Sequence, residues 1–212
     1  MLTPHILGPE FSSFLRAVRL YCEELGINYT YGLEVNRKHI TLGSEELKQY
    51  HPFKKVPVLI YNNTAIFETT TICRFLDIIS APNNLTPKDP LTIALVDEWA
   101  GALSLYVDNI LIRQYVLEFA FPKGPNKSIR EEIIKEITPK VIETLIFLDK
   151  HLADKPFFCG ISYSMADAIL TPILDYVIQT PKATELFNNT TNLIPYLTRM
   201  KERPSGKTVL KK

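Results

Sequence analysis

The sequence predicts an α/β amino-terminal half followed by an all-helical carboxy-terminal half. Three observations carry that expectation. Short apolar runs alternate with helical patterns up to Ser80, a Pro- and Asn-bearing stretch follows, and beyond it only helical periodicity is found. Strands that alternate with helices and finish in a hairpin build a small mixed sheet with helices packed on it. The expected order is βαβ, helix, ββα over residues 1–80, a linker over 81–90, helices over 91–204 and a frayed tail over 205–212.

Each element has a local cause. Leu2 to Leu7 is a short apolar strand ended by Gly8-Pro9. Ser12 through Leu25 is a helix with Leu15, Val18, Leu20 and Cys22 as apolar positions, stopped by Gly26. Ile27 to Leu33, with Tyr29 and Tyr31 alternating, reads as a strand. Ser44 caps a short helix that ends near Tyr50 and is anchored by Leu47. Val56 to Tyr61 and Thr64 to Phe67 are strands joined by Asn62-Asn63, residues that tolerate the positive φ of a tight hairpin. Glu68 to Ser80 is a helix whose Ile72, Phe75, Leu76 and Ile79 face inward.

The second half follows helical grammar. Leu95, Trp99, Leu103, Tyr106 and Ile110 recur at three- and four-residue spacing in a long helix from Leu91 to Phe121, broken by Pro122 and Pro125. Ser128 with Glu131 has the spacing of a capping box, and Ile129 to Leu152 continues one apolar stripe with an expected kink at Pro139. Ser164-Met165-Ala166-Asp167 is a second box, read as structural. A last helix runs from Leu193 to Arg203 and stops before Pro204.

The totals narrow the class of function. A net charge of +1 over 212 residues, without a long basic run, argues against nucleic acid as the main partner. No apolar stretch approaches membrane-spanning length. The start, Met1-Leu2-Thr3-Pro4-His5, has neither a basic region nor an apolar one of signal-peptide type. Three widely spaced cysteines, Cys22, Cys73 and Cys159, read as reduced thiols rather than a disulfide frame. A cytoplasmic protein without a metal site is expected.

The segment Lys54-Lys55-Val56-Pro57-Val58-Leu59-Ile60 stands out. Pro lacks the N–H a strand needs, so Pro57 belongs at a strand's entry, and the Val56–Pro57 bond is a candidate cis peptide. The backbone of Val56 is then left to pair with something outside the sheet. Glu68-Thr69 opens a helix, where free N–H groups and the positive dipole end attract anions. The pattern suits a short peptide that carries carboxylates.

Five motifs in order carry a resemblance: Phe11 to Arg19 at the first helix, His51-Pro52-Phe53-Lys54-Lys55-Val56-Pro57-Val58-Leu59, Phe67-Glu68-Thr69, Phe158-Cys159-Gly160 leading to Ser164–Asp167, and Met200 to Ser205. Together they resemble the cytosolic glutathione transferase superfamily over nearly the whole chain, in its serine-type (theta-, phi- and zeta-like, bacterial-style) classes. The resemblance implies a thioredoxin-like amino-terminal domain, a helical carboxy-terminal domain, a homodimer, and glutathione as co-substrate in detoxification.

Carried over residue by residue, Val56 exchanges backbone hydrogen bonds with the cysteinyl part of glutathione, with Pro57 cis. Glu68 and Thr69 hold the γ-glutamyl group, and Lys55 lies near the glycyl carboxylate. His39, Arg37 and Lys38 are alternatives for a second contact to that carboxylate. Ser12 is the expected thiol-facing hydroxyl and Ser13 its rival. Tyr106, Ile110, Arg113, Tyr115 and Phe119, on the Leu91 to Phe121 helix, are expected to line the pocket for a hydrophobic electrophile. Departures from the pattern are Lys54 in place of the usual Gly and Thr69 in place of the commoner Ser. Two alternatives stand beside the transferase: an isomerase of the maleylacetoacetate type, whose Cys and Arg are Phe14 and Ala17 here, and a non-catalytic docking module of the same fold.

Overall fold

The computed structural model describes residues 2–81 and 83–210. They form two compact units, one of residues 2–93 with 203–210 and one of residues 94–202.

The first unit is built on a four-stranded sheet. β1 (His5–Leu7) pairs in parallel with β2 (Thr30–Gly32) and antiparallel with β5 (Val58–Tyr61), which pairs antiparallel with β6 (Thr64–Phe67). Asn62 and Asn63 take φ of 48° and 60°, the positive values the β5–β6 hairpin requires. Between β2 and β5 lie a two-stranded hairpin, β3 (Glu34–Val35) with β4 (Lys38–His39), and a 3-10 turn at Leu47–Gln49 whose Leu47 N–H donates to Ser44 Oγ. The hairpin was not expected, and the short helix expected there is that single tighter turn.

Leu7 and Val58 join Val35, Ile40 and Leu47 in one apolar cluster on one face of the sheet. Ile6 and Leu59, one residue out of phase, are fully buried on the other face. That face is covered by α1 (Ser13–Leu25) and α2 (Thr69–Ile79), which bury Leu15, Val18, Cys22, Ile72, Cys73 and Leu76. Gly26 ends α1 at φ 68°, its N–H donating to Cys22 and Glu23, a conformation that favours Gly. Tyr21 Oη donates to Asp77 Oδ2 at 2.7 Å, and Asp77 also accepts the Leu85 N–H and the Thr86 hydroxyl. One buried carboxylate thus ties both helices to the segment after them.

Of the residues expected as a frayed tail, 205–210 are ordered, and 211 and 212 lie outside the described residues. α9 (Pro204–Val209) packs on α1, with Val209 and Leu210 buried. Arg203 makes a two-pronged bond to Glu24 at 2.7 and 2.6 Å, and the Ser205 hydroxyl donates to the same carboxylate.

In the second unit the long helix continues from α3 (Pro90–Ala102) through two π-helical stretches, Leu103–Val107 and Asn109–Val116, into α4 (Leu117–Ala120). The wider π turn changes the periodicity. The buried apolar positions are Leu103, Val107, Leu111, Ile112, Tyr115 and Val116, and Tyr106, in phase with Leu103 and Ile110 in an ordinary α-helix, is 68% exposed.

α5 (Glu131–Leu152) begins after Arg130, so Ser128 is not its cap. Instead Arg130 is held by Glu118, which accepts both its backbone N–H (3.0 Å) and its guanidinium (2.6 Å). Pro139 lies inside α5 without interrupting it. At α6 (Met165–Val177) the expected box is present: Asp167 accepts the Ser164 N–H and hydroxyl at 2.9 Å, and also Phe158 N–H and Tyr196 Oη. α7 (Ala183–Leu186) is short, and α8 (Leu193–Glu202) starts on Asp149, which accepts the N–H groups of Thr191, Asn192 and Leu193. Among the described residues no helix is long and apolar enough to cross a membrane.

Candidate active site

Strand register assembles the site. Leu7 pairs with Val58, and Val58 pairs with Phe67. β1 ends at Leu7, β5 starts at Val58 and β6 ends at Phe67, so three chain segments leave the sheet side by side at one end. They are Gly8–Ser12, the turn before Val58, and Glu68-Thr69. Two of the three run directly into helix N-termini, those of α1 and α2. This end of the sheet therefore collects unsatisfied backbone N–H groups and two positive dipole ends.

Each segment is shaped to fit. A Cβ on Gly8 would lie 2.8 Å from Leu15 Cδ1 and 3.3 Å from Val56 Cβ, so the absence of a side chain lets the β1–α1 loop lie against Val56. Arg19, itself buried, pins that loop. Its Nη1 donates to Glu10 Oε1 at 3.2 Å, and its guanidinium stacks 3.8 Å over the Tyr31 ring. Neither Gly8 nor Arg19 was singled out from the sequence, where a strand-ending Gly and a helical Arg carry no distinguishing signal.

Ser12 is the N-cap of α1, and its Oγ accepts the Leu15 N–H at 3.3 Å. A capping hydroxyl uses its oxygen as acceptor and keeps its proton to donate elsewhere. Ser12 is half-buried, whereas Ser13 is 7% exposed within the first turn of the helix.

The Val56–Pro57 bond is cis, and pairing with β1 begins two residues beyond Val56. Lys54 takes a positive φ of 54° and its ammonium is engaged by Glu45. Lys55 is exposed. Glu68, the residue before α2, has φ 69° and ψ 119°. A non-glycine residue held there is strained by roughly 1–3 kcal/mol, and such strain concentrates at functional sites. The Glu68 carboxylate is exposed while Thr69 is buried beside it. The result is a small site offering a carboxylate, a cation, two hydroxyls and two helix N-termini. It is equipped for a peptide bearing one amine and more than one carboxylate.

Comparison with known proteins identifies the family. The sequence model for the glutathione S-transferase amino-terminal domain matches residues 11–78, and that for the carboxy-terminal domain matches residues 112–212. The Arabidopsis thaliana glutathione S-transferase U1 is 30% identical over 173 residues, 82% of this chain and 70% of that protein. The chain belongs to the glutathione S-transferase family.

A probable glutathione S-transferase from Nicotiana tabacum is 33% identical over 163 residues; the match spans 76% of this chain and 66% of the tobacco protein's length. Among solved structures, poplar glutathione transferase F1 superposes with a TM-score of 0.84 at 23% identity, covering 99% of this chain and 97% of that one. The theta-class enzyme of Xanthomonas axonopodis pv. citri, with glutathione bound, gives 0.82 at 23% identity, covering 100% and 99%. The fold is the glutathione S-transferase fold: a thioredoxin-like amino-terminal domain with a mixed sheet and a helical carboxy-terminal domain.

Within this glutathione S-transferase fold, Ser12, Val56, Pro57, Glu68 and Thr69 gather at the strand ends, with Lys55 on the adjoining turn. The β3–β4 hairpin packs its Val35 with Leu7 and Val58, while its polar residues are engaged locally. His39 pairs across to Glu34, Lys38 binds Glu46 at 2.8 Å, and Arg37 occupies the turn at φ 64°. Of the five expected pocket residues, Arg113 is exposed but bound to Asp108 at 2.8 Å, and Ile110 and Phe119 are half-buried. Tyr115 is a correction: it is fully buried with its ring on Phe119 (5.2 Å) and offers no surface to a ligand, because the π turn rotates it inward. No cluster of three or more His, Cys, Asp or Glu that could hold a metal is found among the described residues.

Proposed function

We propose that the protein is a serine-type glutathione S-transferase that presents glutathione as a thiolate to hydrophobic electrophiles. The observation that carries this reading is the Leu7–Val58–Phe67 register, which puts the Ser12 hydroxyl, the Val56 turn and the Glu68-Thr69 helix start at one end of the sheet.

Each part of glutathione has a partner there. The γ-glutamyl ammonium goes to the Glu68 carboxylate and its carboxylate to the N–H groups and Thr69 hydroxyl at the start of α2. The cysteinyl backbone pairs with Val56, as a short added strand does with a sheet edge. Lys55 faces the glycyl carboxylate, with His39, Arg37 and Lys38 of the β3–β4 hairpin as alternatives for a second contact to it. The Ser12 hydroxyl donates to the sulfur. A free thiol titrates near about 8.5, and each unit by which the site lowers that value is about 1.4 kcal/mol of thiolate stabilisation. The thiol proton leaves to solvent, the sulfur bonds to the electrophilic carbon, and a leaving group such as chloride departs.

For the electrophile, the helical unit offers Tyr106, Ile110, Arg113 and Phe119, all with exposed or part-exposed surface. The homodimer is the assembly that the family resemblance implies, and Phe53, 73% exposed in the turn before Val56, is a candidate contact for it. A cytoplasmic setting is supported by three cysteines that form no disulfide, with Cys22 and Cys73 raised by burial and unreactive. The decisive experiment is retention on immobilised glutathione together with conjugation of a chloronitroarene. No detectable glutathione binding contradicts the reading.

A further inference from the structure

Behind Glu68 stands a side chain that this reading does not use. His51 is buried, with 5% of its side chain exposed, and is wedged against Phe67 (ring centroids 4.7 Å) and edge-on to Phe53 (6.1 Å). Its Nδ1 accepts the backbone N–H of Phe53 at 3.2 Å. In a neutral imidazole the proton is then on Nε2, because only one ring nitrogen can accept. Nε2 lies 4.0 Å from Glu68 Oε1. The charged groups that face the ring are Glu68 and Lys55. Burial and Lys55 lower the His51 pKa, Glu68 opposes them, and the net direction is downward. At neutral pH the ring is an uncharged donor aimed at a carboxylate.

Glu68 needs such a donor. Its backbone is fixed at the head of α2, but its side chain is 65% exposed to solvent. A carboxylate that must receive an ammonium binds it better when it is oriented beforehand. A neutral N–H orients one oxygen without cancelling the charge, which a cation would do.

We propose that His51 is a positioning residue for glutathione: its Nε2–H holds one oxygen of Glu68, so that the other faces the γ-glutamyl ammonium. The inference rests on the assignment of Glu68 to that ammonium. A movement of about 1 Å by the exposed carboxylate turns the 4.0 Å approach into a hydrogen bond.

Two substitutions separate this role from a purely structural one. His51→Asn keeps an acceptor where Nδ1 stands, for the Phe53 N–H, but cannot reach Glu68. His51→Gln carries an amide N–H out to the place of Nε2. Expected results are a rise of roughly three- to tenfold in KM for glutathione in His51→Asn, with kcat at saturating glutathione little changed, and substantial recovery in His51→Gln. In a Glu68→Gln background the His51→Asn effect should shrink to near unity, since coupled residues are not additive. Titrating the His51 ring by NMR gives a check that needs no variant at position 51: Glu68→Gln should lower its pKa further. If Glu68→Gln weakens glutathione binding but His51→Asn does not, or if the two effects simply multiply, the positioning role is wrong and the assignment of Glu68 stands. If Glu68→Gln itself leaves binding unchanged, both fall.

Discussion

Gly8 and Val56 lie so close that a Cβ placed on the glycine would stand 3.3 Å from that of the valine. This contact joins the loop that carries Ser12 to the turn that carries the cis proline. Gly8→Ala should therefore act on both. The added methyl also meets Leu15 Cδ1 at 2.8 Å, inside the core of the sheet–helix packing. Overpacking of this kind costs ~1–3 kcal/mol. The expected outcome is a lower thermal midpoint together with a raised KM for glutathione, measured on the same preparation.

Ser12 and Ser13 should separate cleanly. Ser12→Ala removes the hydroxyl that caps α1, at a cost of ~1 kcal/mol of stability. It also removes the proposed donor to the thiolate, so the pKa of bound glutathione should rise. Near neutral pH the rate should fall by about tenfold per unit of that rise, and recover as the pH is taken above the new value. Ser13→Ala, at a buried position, should leave the pH–rate profile where it is. The measurement is kcat/KM against pH for both variants.

Glu68 is strained where it stands, and glycine accepts φ 69° without that strain. Glu68→Gly should raise stability by ~1 kcal/mol, the relieved strain less the entropy that glycine adds to the unfolded chain. It should at the same time abolish binding to immobilised glutathione. A variant that is more stable and inactive marks a position kept for function. Thermal unfolding and column retention check the two halves of this prediction.

The helical unit offers a test by pH. Arg130 beside Glu118 holds its carboxyl at about 2, below the ordinary 4.5. A depressed pKa contributes stability that is fully present above 4.5 and is lost as the pH falls toward about 2. Thermal midpoints of the wild type and Glu118→Gln should therefore differ most at pH 5 and above, and converge as the pH approaches about 2.

The features legible in the sequence are those with local causes. Gly26 ends α1 because its αL conformation is its own, and the Ser164–Asp167 box closes within four residues. The places of Pro57 at a strand's entry and of Glu68-Thr69 at a helix start were legible because strand ends and helix starts have their own chemistry. The misreadings have distant causes. Ser128 loses the α5 cap because Glu118, twelve positions before Arg130, holds that residue instead. Arg203 and Ser205, at the start of α9, are held by Glu24, 179 positions away from Arg203. The β3–β4 hairpin hides in two-residue strands rich in charge, Glu34-Val35 and Lys38-His39. Tyr115 is buried and Tyr106 exposed because π turns break the 3.6-residue period assumed for that helix. The nearness of His51 to Glu68 is not legible in the sequence, because the β5–β6 hairpin brings together two residues 17 positions apart.

The central claim is that glutathione lies across the ends of β1, β5 and β6. A crystal structure of the protein soaked in saturating glutathione tests it most directly. The account predicts the cysteinyl backbone paired with Val56, the γ-glutamyl group on Glu68 and Thr69, and the sulfur within hydrogen-bond distance of Ser12 Oγ. Glutathione bound elsewhere, or a site at Val56 left empty at saturation, would contradict it.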